Sequence, residues 1–336
     1  MSIRLGIDVG GTFTDLLLFD EVKKEFHLHK TPSTPDDQSL AILKGVDDLL
    51  DQSRVSADQI RSLLHGTTVG TNIVLEGSGA RVGLLVTENF EQVLHLARSQ
   101  TPGPLAGWIT MQKPAPLADL ELTRGIPERI NARGQIIQPL DEIRARELID
   151  ELVDHGAESI TISLLHGYLN PVHERKLRDV ITGTYPDLPV SISSDILPEF
   201  REYERTLVTV MNAYIRPQMR GYLTGLKQKI ETLNSTPRLH IVRSDSGLMG
   251  IEHAMESPVH TLLSGPAGGV GGAAYLSRLV GHPDTVGFDM GGTSTDVALI
   301  ENGDPQLRRE TRVGDVTVRA SSLDVRTVGA GAVSYT

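Results

Sequence analysis

The sequence predicts an α/β protein organised around two copies of one glycine-rich hairpin. Apolar strand-like runs alternate with amphipathic helix-like runs along the chain, the pattern of layered α/β folds. The segment GIDVGGTFTD at 6–15 returns as GFDMGGTSTD at 287–296, with seven of ten positions identical. The 336 residues, 39% hydrophobic and 22% charged, suffice for two domains and a sizeable core.

The elements follow in order from the local pattern. Ile3 to Asp8 reads as a core strand, and Leu16 to Phe19 as its partner after a glycine turn. Ser39 to Leu50 predicts a helix, Ala80 to Val86 a strand and Phe90 to Ala97 a helix. Thr101 to Pro139 is proline-rich and without periodicity, which predicts an irregular excursion. Asp141 to Asp154 places Ile143, Leu148, Ile149, Leu152 and Val153 largely on one helical face. A strand at Ser159–Leu165, a helix at His173–Ile181 and a strand at Val190–Ser193 follow. Tyr203 to Leu233 predicts a long helix broken or kinked at Pro217. Leu239–Arg243 and Thr285–Asp289 read as strands, and Gly268–Val280 between them as a small-residue helix.

Composition removes several function classes. There is no cysteine, so disulfides, a thiol nucleophile and thiolate metal sites are excluded. A net charge of -11 repels phosphate backbones and argues against nucleic acid as a partner. No apolar run reaches the ~20 residues of a membrane span. Ile3–Asp8 already reads as a core strand, so no signal peptide is read, and a cytoplasmic location is expected.

The hairpins carry the chemistry. Gly10 and Gly11, like Gly291 and Gly292, permit positive φ and close approach of backbone to ligand. Successive amides in such a turn converge on one anion. Thr12 and Thr293, then Thr14 and Thr295, add hydroxyl donors. A carboxylate disfavours phosphate directly, so Asp8 and Asp289 make sense through Mg²⁺ or a metal-bound water. A lone Gly-Gly hairpin is an ordinary tight turn. Two copies with matching aspartates and Thr-x-Thr-Asp tails predict a clamp on one nucleoside triphosphate. There is no G-x-x-x-x-G-K-[ST] phosphate loop. The paired hairpins resemble the two phosphate hairpins of the actin/hexokinase/Hsp70 superfamily, whose ribonuclease H-like lobes close on ATP. That resemblance implies two related lobes, the second incomplete here.

Further motifs narrow the resemblance. They are His65-Gly66-Thr67-Thr68-Val69-Gly70-Thr71-Asn72, Leu164-Leu165-His166, Asn170-Pro171-Val172-His173-Glu174, Leu197 to Arg205, and Leu263-Ser264-Gly265-Pro266-Ala267-Gly268-Gly269-Val270. Together with the first hairpin they resemble the hydantoinase A / 5-oxoprolinase family. The resemblance implies residues 1–195 as the family's N-terminal domain and 196–336 as the start of its hydantoinase A domain. It implies ATP and Mg²⁺, a cyclic amide or ketone substrate, and a B-type partner subunit. The shared logic is that ATP phosphorylates a carbonyl oxygen, which opens a resonance-stabilised amide to attack by water.

Roles follow by position. Gly10, Gly11, Thr12, Thr14, Gly291, Gly292, Thr293 and Thr295 hold phosphates, and Asp8 and Asp289 act on metal or nucleophile. His65 and Thr68 either meet the γ-phosphate or substrate carbonyl, or brace a loop. Ser264 and Gly265 either offer helix-start amides to phosphate or form a plain cap. Asp15 and Asp296 tie each hairpin to its neighbour or join the site. Glu199, Arg201, Glu202 and Arg205 either line the cleft or form a solvated helix start. His166 and His173 have no helical ligand spacing and read as structural. A metabolite kinase and a regulatory ATPase remain the competing readings of the same clamp. The glycine turn at 329–332, four residues from the end, predicts a truncated or interrupted chain.

Overall fold

Residues Ile3 to Val9 alternate, burying Ile3, Leu5, Ile7 and Val9 and leaving the residues between them at least partly exposed. That is the period of a strand with one covered face. A computed structural model describes residues 3–10, 12–34, 38–98, 115–232, 237–290 and 295–328. The described residues fall into two interleaved units. The first takes residues 1–73, 219–311 and 320–336, and the second takes 74–218 and 312–319.

The first unit opens with β1 (Ile3–Val9), β2 (Phe13–Asp20), β3 (Glu25–Pro32), α1 (Gln38–Ser53) and β4 (Ile60–Thr67). Helix α2 (Val69–Glu76) leads into the second unit, which holds β5 (Val82–Thr87), α3 (Val93–Leu96) and β6 (Thr123–Ile126). The small ribbon β7 (Arg129–Ile130) and β8 (Ile136–Gln138) follows, then α4 (Glu142–Asp154), β9 (Ser159–Ser163), α5 (Val172–Thr184), β10 (Val190–Ile192) and α6 (Ser193–Ile196). Helix α7 (Glu202–Glu231) returns the chain to the first unit. There lie β11 (Arg238–Val242), β12 (Leu248–Gly250), α8 (Ile251–Glu256), α9 (Ser264–Leu279), β13 (Thr285–Met290) and β14 (Thr295–Glu301). Short strands close the described chain: β15 (Asp304–Pro305), β16 (Leu307–Arg308), β17 (Thr311–Val313), β18 (Val316–Val318), β19 (Ser322–Leu323) and β20 (Val325–Val328).

The first unit's main sheet has the order β12-β11-β4-β1-β2-β3. Strands β1, β4 and β11 run parallel, while β2, β3 and β12 are antiparallel to their neighbours. Ile3, Leu5, Ile7, Leu16, Leu18 and Leu63 pack on Ile42, Val46 and Leu49 of α1 and on Leu226 and Ile230 of α7. A smaller sheet joins β13, β14, β15 and β20. Its Ala298 packs with Ala267 and Val270 of α9.

The second unit holds the parallel sheet β10-β9-β5-β6. Strands β5 and β9 are buried along their whole length, as expected of a sheet covered on both faces. Their core includes Leu148, Ile149 and Leu152 of α4 and Leu177 and Ile181 of α5.

Several elements depart from the sequence expectation. Helix α7 runs unbroken through Pro217. The Ala80 amide donates to the Tyr214 carbonyl at 2.9 Å, in the turn that the proline disturbs, so a carbonyl there has a partner outside the helix. Helix α9 begins at Ser264, so the expected helix start shifts N-terminally into the Ser-Gly-Pro turn. Its Pro266 lies in the first turn, where a missing amide hydrogen costs little. Part of the segment read as irregular, 101–139, lies outside the described residues. Within it β6 forms the edge of the parallel sheet although Thr123–Ile126 is too short to show a period.

Candidate active site

The sequence repeat is also a structural repeat. In the first hairpin Asp8 pairs with Asp15 and Val9 with Thr14. In the second Asp289 pairs with Asp296 and Met290 with Thr295. Identical register places Asp8, Thr14 and Asp15 on the same faces as Asp289, Thr295 and Asp296. Both first-strand carboxylates lie along the glycine face of α9, Asp8 beside Gly265 and Asp289 beside Gly269. A cleft there has a volume of about 330 Å³. Asp8, Asp15 and Gly66 line it with the glycine face of α9, Gly265, Gly268 and Gly269.

Asp8 is open to the cleft yet closely walled. A Cβ on Gly66 would stand 3.0 Å from its Oδ1, and one on Gly265 3.1 Å. Glycine at both positions is what admits the carboxylate. Desolvation by these walls, then the charges of Asp15 and Asp289, push the Asp8 pKa up to about 6, with Lys30 opposing weakly. On α9, a Cβ at Gly269 would sit 3.7 Å from Asp289 Oδ2, whereas one at Gly268 would meet nothing within 4 Å.

The other candidates separate into groups. Gly10 closes the first turn by donating to Phe13 O at 3.0 Å, and its carbonyl accepts from Ser33 Oγ at 2.8 Å. Thr12 is exposed at that turn. Gly11, Gly291, Gly292 and Thr293 lie outside the described residues. Thr14 does not reach the cleft: its side chain is fully buried, with Oγ1 3.0 Å from Ser33 Oγ. Thr295, the equivalent residue, is buried as well. Asp15 takes both its hydrogen bonds from Lys30 of β3, at 2.9 and 3.0 Å. Asp296 accepts from Thr327 of β20 at 2.5 Å. Each second aspartate thus ties its hairpin to the next strand, though Asp15 also lines the cleft.

His65 is turned away. Along β4 side chains alternate, so Leu64 and Gly66 face the cleft while Leu63 joins the α7-side core. His65 shares the latter face, fully buried with Nε2 2.8 Å from the Tyr222 hydroxyl. Burial lowers its pKa to about 4, against a weaker backbone contact with Ile7, so the ring is neutral at physiological pH. This is a brace between β4 and α7. Tyr222→Phe should therefore destabilise the chain by about 1–3 kcal/mol, read by urea unfolding at pH 7.5, because the buried imidazole loses that partner. A variant as stable as the parent would contradict the brace.

Thr68 and Ser264 also spend their hydroxyls on protein. Thr68 Oγ1 donates to Val9 O at 3.1 Å. Ser264 Oγ accepts from Thr67 N at 3.1 Å and donates to Thr67 O at 2.9 Å. Gly265 remains at the cleft beside Asp8.

The second unit gathers the remaining motifs into a buried polar network. His173 Nδ1 lies 2.7 Å from Glu128 Oε2. Glu128 in turn accepts from the Thr87 hydroxyl. Glu174 accepts from Leu164 N and Ser194 N at 2.9 and 2.8 Å and from Ser193 Oγ at 2.5 Å. Arg205 donates to Ser193 Oγ, Glu199 O and Leu164 O and lies over the Tyr168 ring. Sequence reasoning placed Arg205 at a cleft or in solvent; it is 1% exposed and joins this network. Glu202 borders a small recess beside it, Glu199 meets Arg319 at 3.4 Å, and Arg201 is exposed with φ of 96°. His166 stands near the Tyr168 ring with φ of 56°.

The chemistry of the donor set is compatible with a magnesium nucleotide. Magnesium takes one or two carboxylates and completes its shell with phosphate oxygens and water. Asp8 and Asp289 are two carboxylates of the kind such a shell uses, both beside the glycine face of α9. Among the described residues no three His, Cys, Asp or Glu side chains form an all-protein metal cage. No helix of the described residues is long and apolar enough to cross a membrane.

Two register-matched hairpins flanking an acidic, glycine-walled cleft define the class as an α/β protein with a duplicated hairpin. The chain belongs to the hydantoinase/oxoprolinase family: the family's N-terminal-region model matches residues 4–184, and its second model matches 205–336. The acetophenone carboxylase gamma subunit of Aromatoleum aromaticum is 33% identical over 88% of this chain and 42% of its own length. The caprolactamase alpha subunit of Pseudomonas jessenii is 32% identical, over 98% of this chain and 48% of its own. The nucleotide-free structure of an ATP-dependent acetone carboxylase superposes with a TM-score of 0.88 at 29% identity, covering 98% of this chain and 48% of that one. The fold is accordingly the actin-like ATPase type shared with these proteins. The chain spans about half the length of the curated relatives it matches.

Proposed function

We propose that this chain is the nucleotide-binding part of an ATP-dependent cyclic amidase, acting on a hydantoin, 5-oxoproline or a larger lactam. The observation that supports the reading is the pair of register-matched hairpins whose Asp8 and Asp289 both lie beside the glycine face of α9. Relatives named as an ATP-dependent caprolactamase and a 5-oxoprolinase support the reaction class.

In this reading the lactam carbonyl oxygen attacks the γ-phosphorus, the bond to the bridging oxygen breaks, and ADP leaves. Water adds at the carbon of the resulting imidate phosphate, the C–N bond breaks as the nitrogen takes a proton, and a second water hydrolyses the acyl phosphate left behind to a carboxylate and inorganic phosphate. Mg²⁺, when bound, supplies charge neutralisation on the phosphate oxygens. Asp8 and Asp289 would hold it. The α9 amide at Gly265 would orient the phosphates. The floor at Gly268 and Gly269 leaves the ligand room.

Relatives that are subunits of larger enzymes support a partner, which we assign as the B-type subunit. The test is an ATP-hydrolysis screen over hydantoin, 5-oxoproline, caprolactam and simple ketones, with and without that subunit. Stoichiometric phosphate and opened amide are expected. A stable phosphate ester would instead identify a kinase, and nucleotide turnover indifferent to every compound a regulatory ATPase.

Gly268 gives a local test. A side chain there enters open space, and replacing a helical glycine gains up to about 1 kcal/mol. Gly268→Leu should keep or raise Tm while weakening ATP binding by roughly tenfold, measured by calorimetric titration. Undiminished binding would remove α9 from the nucleotide site.

A further inference from the structure

We infer that Thr68 is a positioning residue for Asp8, fixing the carboxylate from behind the cleft instead of touching nucleotide or substrate. The inference rests on the proposed role of Asp8 as a cation ligand.

Thr68 stands just past the end of β4 and makes two separable contacts. Its hydroxyl donates to Val9 O at 3.1 Å, anchoring the residue directly after Asp8. Its methyl faces Gly265, whose added Cβ would lie 3.6 Å from Thr68 Cγ2. Gly66 and Gly265 form the two walls of the slot that holds Asp8 Oδ1. The same walls are clipped together behind the slot. Ser264 Oγ bonds both Thr67 N and Thr67 O, and Leu263 N donates to Thr71 Oγ1 at 3.0 Å. Leu263 itself sits in the left-handed region at φ of 59°, a conformation this clip holds in place.

The physical need is clear. A carboxylate at a strand end is free to rotate, and a hard cation with near-octahedral demands is sensitive to its placement. Groups that orient a ligand side chain are worth about 10–100-fold in metal affinity. Here the strand end, the slot wall and the carboxylate meet around one threonine. Its hydroxyl is already committed to Val9 O, so Thr68 acts through Asp8.

The two contacts can be tested apart. Thr68→Val keeps the methyl and loses the bond to Val9, while Thr68→Ser keeps the bond and loses the methyl. The probe is Mn²⁺ with ATP, followed by electron paramagnetic resonance on the full chain. Thr68→Val should weaken Mn²⁺ binding by roughly tenfold with Tm within about 2 °C of the parent. Thr68→Ser should restore it to within about threefold. Should Thr68→Val fail to fold, Gly265→Ala decides, because its methyl would crowd Asp8 Oδ1 and should weaken Mn²⁺ similarly. Parental affinity in Thr68→Val, or in Gly265→Ala if that variant decides, overturns the positioning role and leaves the nucleotide reading standing. No Mn²⁺–ATP binding by the parent chain overturns both.

Discussion

Asp8→Asn will stabilise the metal-free chain at pH 7.5 and lower ATP turnover of the assembled enzyme by roughly tenfold or more, about 1.4 kcal/mol of barrier. The two effects share one cause. Asp8 is held among glycine walls with Asp15 and Asp289 beside it, and its pKa is raised from 3.8 to about 6. A carboxyl whose folded pKa lies above its unfolded value stabilises the fold while protonated. That contribution is complete below about pH 4 and is lost as pH rises through about 6. Asparagine carries no charge at any pH. The variant should therefore match the parent near pH 4 and exceed it above pH 6, in melting curves without divalent ions. Adding Mg²⁺ and ATP should raise the parent's Tm and leave the variant's nearly unchanged, because only the parent offers the full ligand pair. Asp289→Asn should lose turnover likewise. Parental turnover in both variants would refute the metal role, and a pH-independent difference in Tm would refute the crowded carboxylate.

What the sequence made legible follows from how local each signal is. The hairpin repeat needs only neighbouring residues, and β1, β2, β13 and β14 form where the motif reads, in matching register. Asp8 and Asp289 stand out as candidates because a conformational need for glycine and a lone acid at a strand end are both visible in ten residues. Side-chain direction was less accessible. His65 and Gly66 are adjacent letters, yet the pleat sends one into the core and the other into the cleft. Only the pairing of β4 between β1 and β11 decides which is which. Thr14 and Ser264 looked like donors to phosphate. Their hydroxyls are taken by Ser33 and Thr67, the latter 197 positions away, contacts that no local pattern encodes. Strand β3 was missed because Glu25–Pro32 is a largely exposed edge whose His and Lys residues blunt the apolar alternation. The buried network of the second unit was missed for the opposite reason. Charged letters in Leu197–Arg205 suggest solvent, but Arg205 finds three acceptors inside the fold.

That network sets the largest expected loss of stability. Glu174→Ala should destabilise the chain by about 3–5 kcal/mol. Glu174 is 1% exposed, and its carboxylate accepts two backbone amides, Leu164 N and Ser194 N, besides the Ser193 hydroxyl. Burial pushes its pKa up, with these donors opposing, so the site spends solvation to hold the group. Truncation would leave those donors facing a void. It would also remove the negative charge that favours the Arg205 guanidinium, whose pKa burial already lowers. An added Cβ on Gly167 would stand 2.6 Å from Glu174 Oε1, so the packing leaves little space beside the side chain for a compensating shift. Glu174→Gln separates charge from hydrogen bonding. Its amide oxygen can still accept from Leu164 N or Ser194 N, and it should cost less than alanine. The measurement is urea unfolding of the three proteins at pH 7.5. Alanine no worse than glutamine would show that the carboxylate's place could be left empty, and that the strand ends at Ser163 and Ile192 are held by packing alone.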